Sequence, residues 1–200
     1  MYLVSKERLE KMKRVLLCRQ DTLKVFMDYV YSHHNLSAIV RTCDAVNVGK
    51  LHYRHQKKIK LNKEVALGAH KWIFTEYVEN IEKFYKNIKE KGYQVVVTIL
   101  SKNAVDFREV DYTKPTLIVL GNEVDGVSET SLKYADKNII IPIYGMTQSL
   151  NVSVANAVIL YEAQRQRMLK GMYDKPSLSE GIIKDTLKKW AYDDILKQGK

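Results

Sequence analysis

The chain has 200 residues, 46% apolar and 28% charged, with a formal net charge of +10. That balance excludes a disordered or fibrous chain, and the length suits one domain able to bury a core without staples. Two cysteines, Cys18 and Cys43, stand outside any pairing motif, which excludes a disulfide scaffold and fits a reducing, cytoplasmic setting. No stretch reads as a signal peptide or a membrane span.

Residues 5–17 read as a helix, with Leu9, Met12 and Leu16 at helical spacing and Lys6, Arg8, Lys11, Lys13 and Arg14 as its charges. Residues 23–30 fit a strand. Asn35 is a candidate N-cap, followed by Leu36, Ile39, Val40, Cys43 and Val46 on a face that should be buried. Ser37, Arg41 and Asp44 lie on the opposite face, and Gly49 is expected to end the helix. Short strands fit residues 51–54 and 73–78. Residues 80–91 form a predicted helix with Asn80 as cap and Gly92 as terminator. Residues 95–99, 116–120 and 138–143 are continuous, β-branched-rich runs. Alternating with helices, they mark an α/β fold: a mostly parallel sheet with helices on both faces. Residues 152–169 predict a long helix ended by Gly171, and residues 178–196 a partly helical tail.

The positive charge is clustered. Lys50, Arg54, Lys57, Lys58, Lys60, Lys63 and Lys71 share one segment with His52, His55 and His70, against a single acid, Glu64. A solvated face alternates its signs; this block does not, so it is the predicted surface for a polyanion.

In open α/β sheets ligands bind beyond the carboxyl ends of the strands. Polar sequence follows the predicted strands at Thr98, at Gly121-Asn122-Glu123-Val124-Asp125-Gly126 and at Tyr144-Gly145-Met146-Thr147-Gln148-Ser149. Gly121 and Gly126 have phosphate-loop spacing, but Val127 stands where the lysine must be, so a nucleoside triphosphatase is rejected. No G-x-G-x-x-G follows a strand. Ser149, Asn151 and Ser153 precede or open a helix; one cap needs one of them, and the surplus suits an anion or a polar cofactor edge. A lone Arg41 would ordinarily be a solvated helix residue, but His33, His34 and Asn35 make a polar entrance beside it. The histidines and cysteines lack metal-ligand spacing, so no metal is expected. Trp72 and Trp190 read as packing residues.

Three blocks stand in order: Asn35-Leu36-Ser37-Ala38-Ile39-Val40-Arg41-Thr42, Leu120-Gly121-Asn122-Glu123-Val124-Asp125-Gly126-Val127, and Ile141-Pro142-Ile143 through Ser149-Leu150-Asn151-Val152-Ser153-Val154-Ala155. Together they resemble the motifs of the SPOUT superfamily, in its ribose 2′-O-methyltransferase branch. Two further stretches, residues 103–112 and 161–173, resemble the tRNA guanosine-18 2′-O-methyltransferases within it. Asn122 departs from the glutamine common at that position, while Glu123 is kept.

The resemblance implies a C-terminal deep trefoil knot, an exception to the unknotted rule, and transfer of a methyl group from S-adenosylmethionine to a ribose 2′-hydroxyl, that of guanosine 18 of tRNA. It implies residues 1–20 as a helical extension, 21–172 as the knotted methyltransferase domain and 173–200 as a helical tail. It casts Arg41, Asn35, Glu123, Ser149 and Asn151 as catalytic, and Thr98, Gly121, Ile141 and Leu150 as lining the cofactor. It implies a homodimer with tRNA as partner, held by Lys57, Lys58, Lys60, Lys63, Arg14 and Arg19. Arginine is an awkward base, with a pKa above ~12. Arg41 either acts as base when desolvated and steered by a phosphate, or stabilises the alkoxide while another group or water takes the proton. Methylation of ribosomal RNA, a catalytically idle RNA-binding protein, and a basic α/β protein holding another anion remain alternatives.

Overall fold

A run such as Thr116-Leu117-Ile118-Val119-Leu120 has no polar side to present to water, so it is stable only with both faces covered. In the computed structural model, which describes residues 4–55, 71–101, 103–122 and 124–198, both faces are covered. The elements in chain order are α1 (Lys6–Leu17), β1 (Gln20–Asp28), α2 (His33–Val46), β2 (Val48–Arg54), β3 (Thr75–Tyr77), α3 (Ile81–Glu90), β4 (Gln94–Thr98) and β5 (Val105–Asp106). A 3-10 turn (Phe107–Glu109), β6 (Thr116–Leu120), α4 (Glu129–Lys133), β7 (Lys137–Ile140), α5 (Val152–Leu169) and α6 (Glu180–Gln198) follow. Among the described residues the strands form one seven-stranded sheet in the order β3-β2-β1-β6-β4-β7-β5, every pairing parallel. All carboxyl ends therefore lie along one edge.

Side chains alternate across the sheet. Val25, Met27, Val96, Ile118 and Leu120 pack with Leu36, Ile39 and Val40 of α2 and Ile159, Leu160 and Ala163 of α5. Phe26, Val95, Val97, Leu117 and Val119 pack under Ile81, Phe84, Tyr85 and Ile88 of α3. A satellite cluster joins α1 to α6 through Met12, Leu16, Leu178 and Trp190. There Trp72 meets Trp190 edge-on with ring centroids 5.2 Å apart, the packing role expected of both.

Local chemistry moves several expected boundaries. Ser32, not Asn35, caps α2: its hydroxyl accepts the Asn35 N–H, and Asn35 sits inside the first turn. The helix ends at Asn47, which adopts the left-handed conformation (φ 64°). Gly49 instead lies within β2, where a Cβ would sit 2.5 Å from the Gln20 carbonyl oxygen. The run 138–143 pairs only as far as Ile140, because Ile141 and Ile143 leave the sheet to line a cavity. Of the three apolar residues at helical spacing on α1, Met12 and Leu16 are buried and Leu9 is exposed.

His52 on β2 is buried against Phe84, with ring centroids 4.8 Å apart, and neither ring nitrogen has a hydrogen-bond partner. Burial pushes its pKa down to about 3, against the weaker opposing pull of Glu76 at 3.7 Å. The ring is neutral in the fold, whereas in the unfolded chain it protonates near pH ~6.5. Below that pH the unfolded state binds the extra proton, so stability falls as pH drops through about 6.5 toward 3. The thermal midpoint of the natural chain is expected to drop more between about pH 7 and about pH 5 than that of His52→Phe. Equal drops in the two proteins would contradict this account.

Candidate active site

β6, β4 and β7 end side by side, and the chain leaves each by an irregular turn. Between these turns lies a cavity of about 440 Å³, the size of a small-molecule site. Thr98, Gly121, Ile141 and Leu150 all line it, as do Ser149 and Asn151. Ile99, Ile139 and Ile143 give it apolar walls that sequence reasoning did not single out. Among the described lining residues, Asp125 is the one ionisable group. Such a lining suits a ligand held by shape and backbone groups, with a carboxylate near any positive charge it carries.

Asn122 builds the turn that follows β6. Its side-chain oxygen accepts the N–H groups of Val124 (2.8 Å) and Asp125 (2.7 Å). Its backbone exchanges hydrogen bonds with Gly126, 2.9 Å and 3.2 Å long. Gly126 takes a left-handed φ of 71°. Gly121 has no room for a side chain: an added Cβ would lie 2.2 Å from the Gly126 carbonyl carbon. The two glycines thus serve one turn closed on itself rather than a phosphate loop.

The third wall is the segment entering α5. Asn151 is the N-cap, and its side-chain oxygen accepts both the N–H (2.8 Å) and the hydroxyl (2.6 Å) of Ser153. Its amide then donates to the Asn35 side-chain oxygen at 3.0 Å. One side chain therefore caps α5 and ties it to the buried start of α2. Ser149 is exposed, and its carbonyl accepts the Thr147 hydroxyl at 3.0 Å.

The other predicted site residues fall in different places. Arg41 is exposed on α2, about 9 Å along the helix axis from Asn35, and is not among the residues lining the cavity. Arg14 is exposed on α1. Glu123, Lys57, Lys58, Lys60 and Lys63 lie outside the described residues. Arg19, expected at the RNA surface, lies in the interior instead. It is fully buried, donating to the carbonyls of Val48 (3.1 Å) and Trp72 (2.5 Å), with burial lowering its pKa to about 10. Its guanidinium packs over Phe74 and Trp190. A guanidinium committed this way holds β2 and Trp72 beside the satellite cluster and has no surface to offer a phosphate.

Asp28 was missed. At the end of β1 it is fully buried, and one carboxylate oxygen accepts the Ser128 N–H (2.8 Å) and the Ser131 hydroxyl (2.6 Å). Ser131 also accepts the Tyr85 hydroxyl at 2.7 Å. Ser128 caps α4 directly after the 121–127 turn, so this carboxylate pins the far end of one cavity wall to the central strand. An acid closing an apolar strand was the available signal. Asp28→Ala is expected to lower unfolding stability by about 1.5–3 kcal/mol, because two donors lose a charged acceptor. A denaturant midpoint unchanged from the natural chain would contradict the anchoring role.

Residues 22–161 match the profile of the SpoU rRNA Methylase family. A protein of Aquifex aeolicus (strain VF5) named tRNA (guanosine(18)-2′-O)-methyltransferase is 56% identical over 201 residues, covering 100% of this chain and 95% of that one. The crystal structure of the A. aeolicus TrmH/SpoU tRNA modifying enzyme superposes with a TM-score of 0.88 over 94% of this chain and 97% of that chain, at 56% identity. The SpoU methyltransferase AviRb from Streptomyces viridochromogenes, in complex with the cofactor AdoMet, is 29% identical with a TM-score of 0.65, over 75% of this chain and 59% of its own. With 140 consecutive residues under the family profile (22 through 161) and a 56% identical relative matched over 100% of this chain and 95% of its own, this chain belongs to the SpoU methylase family.

Proposed function

We propose that this protein is an S-adenosylmethionine-dependent RNA methyltransferase that methylates the ribose 2′-hydroxyl of guanosine 18 in tRNA. One observation carries the reading. The Asn151–Asn35 hydrogen bond draws the first and third sequence blocks together beside a cavity that the second block also lines. The chain that carries it is 56% identical, along its length, to a relative named for that reaction.

The cavity fits the methyl donor. Its isoleucine walls suit a flat heterocycle, Gly121 keeps the strand end bare of side chain, and Asp125 balances positive charge. Thr98, Gly121, Ile141 and Leu150 would hold S-adenosylmethionine, which when bound supplies an electrophilic methyl group. The chain's own residues do the rest by positioning and charge. Asn35, fixed by Asn151, and Ser149 orient the ribose at the cavity mouth. Glu123 lies outside the described residues, and its proposed catalytic role rests on its place in the second sequence block. Arg41 is solvent-exposed on α2, and its guanidinium offers a planar fork of donors. Its role is to stabilise negative charge developing on the 2′-oxygen, while the hydroxyl proton passes to water.

A homodimer completes the site in this reading. Val154, Tyr161, Met168 and Leu169 are large apolar side chains exposed on α5, a surface suited to a second copy, and Arg41 on the adjoining α2 is exposed as well. The trefoil knot is supported by the path of α5, which returns from the β7 side of the sheet to pack on α2. We divide the chain into a helical extension (1–20), the knotted domain (21–172) and a tail (173–200); the packing of α1 on α6 supports pairing the two ends. The free thiols of Cys18 and Cys43 support a cytoplasmic setting, and no helix of the described residues is long and apolar enough to cross a membrane.

Incubation with methyl-labelled S-adenosylmethionine and either unmodified tRNA or ribosomal RNA tests the reading. Label in tRNA, mapped to the ribose of guanosine 18, is the expected result. Label in ribosomal RNA alone, or in neither, would overturn it.

A further inference from the structure

The carboxyl edge of the sheet carries a second group of side chains that the methyl-transfer reading leaves unused. Beside the cavity, β1 and β2 end in register at Asp28 and Arg54. Just past them Tyr29, Tyr31 and His55 cluster: the tyrosine rings lie 6.3 Å apart, and His55 meets Tyr31 edge-on at 5.5 Å. The Arg54 guanidinium stacks over Tyr29 at 5.1 Å. All four side chains are half-buried, neither sunk in the core nor free in solvent.

The group is rigidly mounted. The Tyr29 N–H donates to the Arg54 carbonyl at 3.2 Å, and the Tyr77 hydroxyl donates to the His55 carbonyl at 3.3 Å. Tyr29 is held at a φ of 61°, a left-handed conformation that a tyrosine adopts only when its surroundings impose it. Strain of that kind on an aromatic residue at a strand end points to function rather than packing. The segments that carry the group, residues 29–43 and 48–55, contain no acid, and His33 and His34 are exposed just after Tyr31 in the sequence. Tyr31 precedes the α2 cap, Ser32, and so lies within one helical turn of Asn35. Each strand step is about 5 Å, which puts the cluster within a short reach of the cavity, along the same edge.

We propose that Tyr29, Tyr31 and His55, backed by Arg54, form a nucleobase-stacking platform that grips an unpaired base of the RNA next to the methylated nucleotide. Rings presented at fixed angles beside a guanidinium are the chemistry that holds splayed-out single-stranded bases. The platform rests on the proposed RNA methylation for its position beside the acceptor ribose. Its energy comes from stacking, not from phosphate contact.

A double-mutant cycle tests it. Binding of tRNA is measured for the natural chain, Tyr31→Ala, Tyr31→Phe and His55→Ala, on intact tRNA and on tRNAs carrying an abasic residue at each position flanking guanosine 18. Tyr31→Ala is expected to weaken binding of intact tRNA about ten-fold and Tyr31→Phe to preserve it. At one abasic position the alanine penalty should vanish, which a merely structural defect would not do. His55→Ala should show the same positional signature, so a poorly folded Tyr31 variant does not shelter the proposal. A penalty equal on every RNA, or no penalty, overturns the platform. Methylation of guanosine 18 without this signature sinks the platform alone; the signature in a chain that methylates nothing sinks the methylation reading alone.

Discussion

Replacing Arg41 by alanine is expected to lower kcat for methyl transfer about 10²–10³-fold, the usual effect of removing one charged stabiliser of a developing oxyanion. Binding of S-adenosylmethionine should change little, because Arg41 does not line the cavity. Folding should change little too, because the side chain is exposed and surface substitutions cost within about 0.5 kcal/mol. Single-turnover rates on saturating tRNA, with donor affinity and thermal midpoint measured beside them, separate these effects. A lysine in its place keeps the charge but not the planar fork, so Arg41→Lys should recover part of the rate. Near-normal methylation by Arg41→Ala with intact tRNA binding would remove Arg41 from the chemistry.

Arg167→Leu is expected to cost about 3–5 kcal/mol of unfolding stability, since each buried acceptor left unpaired costs ~1–3 kcal/mol. Arg167 is fully buried on α5 and its guanidinium donates to five acceptors. These are the carbonyls of Tyr112 (2.9 Å), Thr22 (3.1 Å) and Lys114 (3.1 Å), the Thr22 hydroxyl (3.0 Å) and the Gln20 side chain (3.2 Å). Burial lowers its pKa to about 10, and it remains cationic at neutral pH. It is the fastening between α5, β1 and the segment before β6. Because α5 begins at the cavity, the same variant should also weaken donor binding. Denaturant unfolding gives the stability directly. A leucine variant as stable as the natural chain would show that the five hydrogen bonds are redundant.

Arg167 and Arg19 mark where sequence reading stops. In the sequence both stand among basic residues of a strongly basic chain, and nothing there distinguishes a solvated arginine from one whose fork closes on backbone carbonyls. The distinction depends on chain segments far apart in sequence: Arg19 meets Trp72, and Arg167 meets Thr22. Asp28 has the same character, since its partners Ser128 and Ser131 are about a hundred residues away.

The sheet was legible because β-branched runs such as 95–99 and 116–120 have no other stable home. The long helix at 152–169 and the cap at Asn80 were legible from local rules. The start of α2 is not legible from local rules, because Ser32 and Asn35 are equally good caps and only the turn geometry chooses between them. The cavity was legible in outline, since polar sequence after a parallel strand has few other uses. Its isoleucine walls were not, because Ile141 and Ile143 read as the end of a strand.

The central claim, that the acceptor is the 2′-hydroxyl of guanosine 18, is tested most directly by a tRNA carrying 2′-deoxyguanosine at that one position. Methyl transfer from labelled S-adenosylmethionine should vanish, while the modified tRNA binds as tightly as the unmodified one. Transfer at an undiminished rate would contradict the account.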